Sequence, residues 1–237
     1  MSKDKSVVWV TGASSGIGKT AAIKFAHNNC IVYASSRNAA GLKLINNELK
    51  PDKLEVEILP CNVASYKEVE QAAKEIIAKG KIDCLINNAG ITSYKLAEKN
   101  SIDEINDIIN TNLLGSIYTI KSILPKMIEQ QSGTIINIIS IVAEEVFTRS
   151  TVYSASKAGL LAYAKSLREE VREHNIKVIN IIPGATETPM WSKETRNKFK
   201  NRMMDPQDVA ELIVWAFKQN KNIVPEEIIV RPIQGNL

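Results

Sequence analysis

Val7-Val-Trp-Val-Thr-Gly-Ala-Ser-Ser-Gly-Ile-Gly18 is the stretch whose reading decides the fold. An apolar run of strand length, Val7–Val10, ends in a turn with three glycines, and a helical pattern over Gly16–Asn29 begins inside that turn. A strand that passes through bare backbone into a helix N-terminus collects N–H groups and the positive end of the helix dipole in one place, which suits a phosphate. The neighbouring reading is a P-loop, because Gly18-Lys19-Thr20 ends like G-x-x-x-x-G-K-[ST]. That motif needs glycine at position 13, where this chain has Ala13. The glycines are spaced for a dinucleotide turn instead.

The same alternation continues along the chain. Strands are predicted at Ile31–Ser35, Leu54–Leu59, Cys84–Asn87, Thr134–Ile139, Lys177–Ile182 and Glu227–Val230. Helices are predicted at Ala39–Lys50, Tyr66–Lys79, Ile102–Glu129, Tyr153–Glu173 and Pro206–Lys218. Strands alternating with helices predict an α/β fold, a Rossmann-like doubly wound parallel sheet of about seven strands with helices on both faces. Pro125 lies inside the long helical pattern, so a kink or stop is expected there. Residues 185–205 are the least regular and are expected to form a mobile substrate-binding loop with one short helix. With no linker or repeat, the whole chain, 1–237, is expected to be a single domain.

Composition narrows the function. The net charge of +4 is spread thinly, which disfavours nucleic acid, and Lys198-Phe-Lys-Asn-Arg202 reads as a solvated face. No apolar run approaches the roughly 20 residues of a membrane span. Cys30, Cys61 and Cys84 sit singly without nearby histidines and are expected to be reduced core residues. His27 and His174 are the two histidines, too few for a metal centre or a Ser-His-Asp hydrolase. The N-terminus runs directly into the first strand without a secretory pattern, so a cytoplasmic protein is expected.

At Tyr153-Ser-Ala-Ser-Lys157 a phenol and an ammonium stand one helical turn apart on one face. A cation beside a phenol favours the phenolate, so Lys157 is expected to lower the Tyr153 pKa and make proton transfer possible near neutral pH. Gly12, Arg37, Asn62, Asn88, Ser140 and Pro183 each follow a predicted strand and therefore share one sheet edge, where open α/β sheets bind ligands. Ser35-Ser36-Arg37 lies where such folds read the adenosine ribose. An arginine there, in place of a carboxylate, suits a 2′-phosphate and favours NADP(H) over NAD(H).

Thr11-Gly-x-x-x-Gly-x-Gly18, Asn87-Asn-Ala-Gly90, Asn112, Ser140, Tyr153-x-x-x-Lys157 and Pro183-Gly-x-x-x-Thr188 occur in that order over nearly the whole chain. In this the sequence resembles the short-chain dehydrogenase/reductase family. The resemblance implies an oxidoreductase that moves a hydride between NADP(H) and a carbonyl or secondary alcohol, with Tyr153 as acid and base. It implies that Ser140 binds the carbonyl oxygen, that Lys157 also holds the nicotinamide ribose, and that Asn112 supports a water-linked relay to Lys157. Cofactor contacts are implied at Gly12, Ser14, Ser15, Gly16, Ile17, Gly18, Arg37, Asn62, Val63, Asn88, Ala89, Gly90, Tyr153, Lys157, Pro183, Gly184, Thr186 and Thr188. A homodimer or homotetramer through the long helices is implied as well.

Three departures stand out against that family pattern. Asn62 replaces the usual aspartate beside the adenine, Ile139 stands where many relatives have a serine before the catalytic one, with Glu144-Glu145 following where small residues are common, and the tail Ile228-Ile-Val-Arg-Pro232 lacks an Asp-Gly-Gly turn. The substrate rim is expected at Ser93, Tyr94, Ile141, Val142, Phe147, Met190 and Trp191, which suits a carbonyl on a fairly apolar body. A catalytically silent, dinucleotide-sensing protein of the same fold is the alternative. A sensor has no need of Ser140, Tyr153, Lys157 and Asn112 together.

Overall fold

The computed structural model describes residues 5–237. In β1 (Val7–Thr11) Val8 and Val10 enter one apolar core, while Val7 and Trp9 enter a second on the other side of the sheet. This is the two-residue alternation of a strand buried on both faces. Six further strands join it: β2 (Ile31–Ser35), β3 (Glu57–Ile58), β4 (Cys84–Asn87), β5 (Gly133–Ile138), β6 (Ile176–Pro183) and β7 (Glu227–Val230). Their order is β3-β2-β1-β4-β5-β6-β7, and each neighbouring pair is parallel. The order reverses between β1 and β4, which opens a crevice at their carboxyl ends.

Three helices, α1 (Gly16–His27), α2 (Ala39–Leu49) and α8 (Pro206–Phe217), fill the first core with Phe25, Leu42, Ile45 and Ile213. The opposite core takes Ile76, Ile123 and Leu167 from α3 (Tyr66–Ile77), α5 (Gly115–Gln130) and α6 (Thr151–Val171). The helices on both faces of one sheet make a single α/β domain. Two shorter helices, α4 (Ile102–Ile109) and α7 (Lys193–Phe199), complete the set among the described residues.

Two expectations change. The third strand is two residues long, not six, because Leu54, Glu55 and Val56 before it and Leu59 after it lie outside the pairing of β2 with β3. The long helical pattern does not stop at Pro125, which lies inside α5. Pro125 and Lys121, the residue whose carbonyl it leaves unbonded, are both exposed, so water reaches that carbonyl. The interruption falls earlier, where Asn110–Leu114 open into a π turn between α4 and α5.

Asparagines cross the second core in a row. Asn87, Asn137 and Asn180 occupy paired positions on β4, β5 and β6, and all are buried. Asn87 Nδ2 donates to Asn137 Oδ1 at 3.1 Å, and Asn137 Nδ2 donates to Asn180 Oδ1 at 3.1 Å. At the α5 end, Thr119 Oγ1 donates to Asn87 Oδ1 at 2.6 Å. Replacing Asn137 by leucine strips partners from both neighbours, and each buried polar group left unpaired costs about 1–3 kcal/mol. Asn137→Leu is expected to lower unfolding stability by about 2–5 kcal/mol in urea titrations. A change under about 0.5 kcal/mol would mean the row contributes nothing beyond its volume.

Candidate active site

The glycine turn is built from behind by the end of β4. Thr11 Oγ1 donates to the Ile86 carbonyl at 3.2 Å and accepts from the N–H groups of Asn88 and Ala89 at 3.1 and 3.2 Å. Asn88 Nδ2 donates to the carbonyls of Thr11 and Gly12 at 3.0 and 3.1 Å. Gly12 has φ +63, and a Cβ there would stand 2.7 Å from the Ala89 Cα. Glycine is therefore required by both conformation and space. Gly18 does not face the crevice. Its missing Cβ makes room for Asn88, whose Nδ2 would lie 2.3 Å from it.

From this turn α1 points its N-terminus into the crevice. Its cap, Ser15, makes no side-chain hydrogen bond to the helix, and the first turn carries no acidic residue. The first N–H groups are thus unneutralised, as an anion site requires. Lys19, the residue a P-loop would aim at phosphate, is instead paired with Glu48 on α2. Arg37 is exposed at the rim of the same crevice, with no ion pair to a carboxylate among the described residues. Ser36 Oγ donates to Ser14 Oγ at 2.9 Å, joining the end of β2 to the glycine turn. Asn62 accepts from the Ala64 N–H at 3.2 Å, and its own N–H donates to Glu68.

A single cavity of about 1100 Å³ extends from this turn, past Ser140 and Tyr153, to the chain's tail. That exceeds the ~300–1,000 Å³ of ordinary ligand pockets and leaves space for a dinucleotide beside a small molecule. The donors, the unpaired guanidinium and the volume fit NADP(H). Of the catalytic and cofactor-binding residues expected from sequence, Gly18 and Asn112 lie behind the cavity and the others line it.

At its centre stand Ser140, Tyr153 and Lys157. Ser140 follows β5, and its hydroxyl, which accepts from the Val142 N–H at 3.4 Å, stands beside the Tyr153 phenol. Lys157, one turn along α6, places Nζ 5.9 Å from the centre of the Tyr153 ring. Its ammonium donates to the Ile138 carbonyl at 2.7 Å, at the end of β5. Asn112 reaches the cluster from the π turn: it accepts from the Ile91 N–H at 2.8 Å, and donates to the Ile91 carbonyl at 2.9 Å and to Ser156 Oγ at 3.0 Å. The π turn is what aims this amide at the loop after β4. Gly115 lets the next turn approach, since a Cβ there would meet Val63 Cγ2 at 2.8 Å.

Burial dominates the titration of the pair. It pushes the Tyr153 phenol up to about 12, with the neighbouring Ser140 hydroxyl pulling the other way. It brings Lys157 down to about 8. The expected lowering of Tyr153 by Lys157 is therefore not what this arrangement produces, because the lysine is turned to a backbone carbonyl and both groups are dry.

Lys157 also links stability to pH. Its folded pKa of about 8 lies below the ordinary 10.5, so the unfolded chain binds more protons between those values and stability rises with pH there. The penalty is full below pH ~8 and is relieved toward pH ~10. Tyr153, displaced upward, opposes this only above its ordinary value of 10.0. From pH ~8 to ~10 the wild type is expected to gain up to ~3 kcal/mol relative to Lys157→Met. Parallel stability curves for the two proteins would refute it.

At the far end, Tyr94 from the loop after β4 stacks on Trp191 from the segment after β6, with centroids 5.2 Å apart and planes at 18°. Ile141, Val142, Phe147 and Met190 line the same end, as expected, but Ser93 does not. Its hydroxyl is buried without a partner. Residues 185–205 contain α7, and their ends are clipped together by Glu187 N–H to the Met204 carbonyl at 2.9 Å and Met204 N–H to the Ala185 carbonyl at 3.0 Å. Sequence reasoning missed Thr92, Phe199, Asn236 and Leu237, which also line the cavity. Part of the basic run is not solvated, because Arg202 turns inward to donate to the Asn236 carbonyl at 2.8 Å. The available signal was the unusual tail together with Glu144-Glu145.

A doubly wound sheet with a glycine turn at its switch point and a Ser, Tyr and Lys cluster beside it defines a dinucleotide-binding oxidoreductase class. The family model described as short chain dehydrogenase matches residues 6–198, and the chain belongs to that family. It is 37% identical to an uncharacterized oxidoreductase of Staphylococcus aureus (strain MRSA252), over 94% of this chain and 96% of that protein. It is 32% identical to a sepiapterin reductase of Chlorobaculum tepidum, over 98% of each chain. Among solved structures, an actinorhodin polyketide ketoreductase variant with NADPH superposes with a TM-score of 0.90 at 27% identity, covering 100% of both chains. A metagenomic short-chain oxidoreductase in complex with NADP gives a TM-score of 0.85 at 27% identity over 96% of each. The three cysteines are free, Cys61 and Cys84 are buried, and no helix among the described residues is long and apolar enough to cross a membrane.

Proposed function

We propose that this oxidoreductase transfers a hydride between NADP(H) and the carbonyl or secondary alcohol of a fairly apolar small molecule, with Tyr153 as the acid and base. The observation that carries the reading is that Ser140, Tyr153 and Lys157 line one cavity with an uncapped, glycine-rich helix N-terminus. NADP(H), when bound, supplies or accepts the hydride at the substrate carbon. Tyr153 is protonated at neutral pH, since burial holds its pKa up, and so is ready to give its proton to a carbonyl oxygen. Ser140 donates a second hydrogen bond to that oxygen as negative charge develops. Lys157 holds the nicotinamide ribose, and in its charged form it offsets the phenolate left on Tyr153. Asn112 holds the Ile91 backbone and Ser156, the residue before Lys157 on α6.

Gly12, Ser14, Ser15, Gly16 and Ile17 would cradle the pyrophosphate, and Arg37 with Ser36 the 2′-phosphate. Residues 185–205 with Tyr94 and Trp191 would enclose the substrate, and the family likeness supports a homodimer or homotetramer. The apolar, aromatic lining suits aryl or alicyclic ketones more than carboxylated ones. NADPH oxidation by the purified protein against aldehydes, ketones, diketones, quinones and β-keto esters, with NADH in parallel, tests this. Turnover that prefers NADPH is expected; saturable NADPH binding without turnover of any of them would favour a sensor.

A further inference from the structure

The tail beyond β7 is fastened at two points. Arg231 Nη1 lies 2.6 Å from Glu145 Oε1, and Asn236 Nδ2 donates to Glu145 Oε2 at 2.6 Å. One carboxylate thus closes the tail on itself across a turn in which the Gly235 N–H donates to the Pro232 carbonyl at 2.9 Å. The second fastening is the hydrogen bond from Arg202 to the Asn236 carbonyl, which ties the tail to the segment after β6. Asn236 and Leu237 are thereby placed in the wall of the cavity that holds Ser140 and Tyr153.

Glu145 is the point on which this arrangement turns. A carboxylate only accepts, so it fixes which way the Asn236 amide faces. Asn236 Oδ1 is buried and has no partner, so nothing else orients that side chain. The Arg231 and Asn236 hydrogen bonds hold the Glu145 carboxyl below its usual range, so the clasp is charged at neutral pH. A partly exposed pair of this kind contributes little to overall stability. Its larger effect is geometric, because it decides where the last two residues stand. The two unusual features of the sequence, Glu144-Glu145 and the Arg231-Pro232 tail, are thus halves of one contact.

We propose that Glu145 is a positioning residue that clamps Asn236 and Leu237 in place as the specificity-determining end wall of the substrate pocket. This rests on the hydride-transfer reading of the same cavity. With the clasp closed, the wall packs against a compact ketone and shortens the space for a long one; with it open, the compact ketone loses that contact and the long one gains room.

The test uses Glu145→Ala, Arg231→Glu and the exchanged pair Glu145→Arg/Arg231→Glu, with acetophenone as the compact ketone and 2-acetonaphthone as the long one. Ketone Kd for the enzyme–NADP+ complex is read by calorimetry, and kcat and KM by NADPH oxidation. Each single variant is expected to weaken acetophenone about tenfold in Kd and KM, with kcat and NADPH affinity within about twofold and 2-acetonaphthone unchanged or tighter. That is about 1.4 kcal/mol of lost contact. The exchanged pair restores the charge contact but sets a donor against Asn236 Nδ2, so it is expected to stay as unselective as the single variants. Equal weakening of both ketones, a matching loss of NADPH affinity, or recovery of the preference in the exchanged pair would overturn the proposal. A wild type that binds both ketones but reduces neither would fail the hydride-transfer reading and leave the selectivity in Kd to decide the role of the wall. A wild type that binds neither ketone overturns the role of the wall as well.

Discussion

Tyr153→Phe is expected to lower kcat about 10²–10⁴-fold while leaving the Kd for NADPH within a few-fold of wild type. The substitution removes one oxygen and little volume. The ring sits in a dry site beside Ser140 and over Lys157, so packing is largely kept. The loss falls on proton transfer alone. Ser140 keeps its hydroxyl but has no acid behind it, and the oxyanion must form with a single donor. Stopped-flow NADPH oxidation with a fluorescence titration of NADPH separates the two quantities. Equal losses in kcat and in NADPH affinity would show that the phenol holds the cofactor and does not perform the proton transfer.

The second large effect is expected at Arg37. Arg37→Asp replaces a rim guanidinium by a carboxylate in the place where the 2′-phosphate of NADPH would lie. A hydrogen bond to a charged group contributes about 1.5–3 kcal/mol, roughly 10–100-fold in affinity, and the new negative charge adds repulsion. The same carboxylate suits the free 2′-hydroxyl of NADH. The ratio of kcat/KM for NADPH over NADH is therefore expected to fall by at least about 100-fold, partly through gain with NADH. The Ser36 to Ser14 contact is independent of residue 37, so the glycine turn is expected to persist. An unchanged ratio would place the 2′-phosphate elsewhere.

The sheet was legible in the sequence because its central strands are buried on both faces and therefore read as short apolar runs, separated by helical periods. The glycine turn was legible because φ +63 at Gly12 and the close approach of Ala89 leave no alternative residue type. What escaped is tertiary in origin. The π turn at Asn110–Leu114 has no breaker residue of its own; it forms where the Asn112 amide and the Ile91 backbone find one another, 21 residues apart. Pro125 carried the local breaker signal and sits harmlessly on a wet face. Ser93 was placed on the rim by its neighbours in sequence, yet its hydroxyl points into the protein. The end wall was invisible because Asn236 is brought to the cavity by Glu145, 91 residues away, and by Arg202, 34 residues away. The Tyr153 and Lys157 spacing put both side chains on one face, but where the ammonium goes depends on the Ile138 carbonyl, which helical spacing does not register.

Hydride transfer with Tyr153 as the proton donor is tested by following the hydride itself. The protein is incubated with acetophenone and NADPH carrying deuterium at both C4 positions of the nicotinamide, and the product is analysed by mass spectrometry. The expected product is 1-phenylethanol with one deuterium at the carbinol carbon, formed by the wild type and almost absent with Tyr153→Phe. Alcohol formed without deuterium, or formed equally well by Tyr153→Phe, would contradict it.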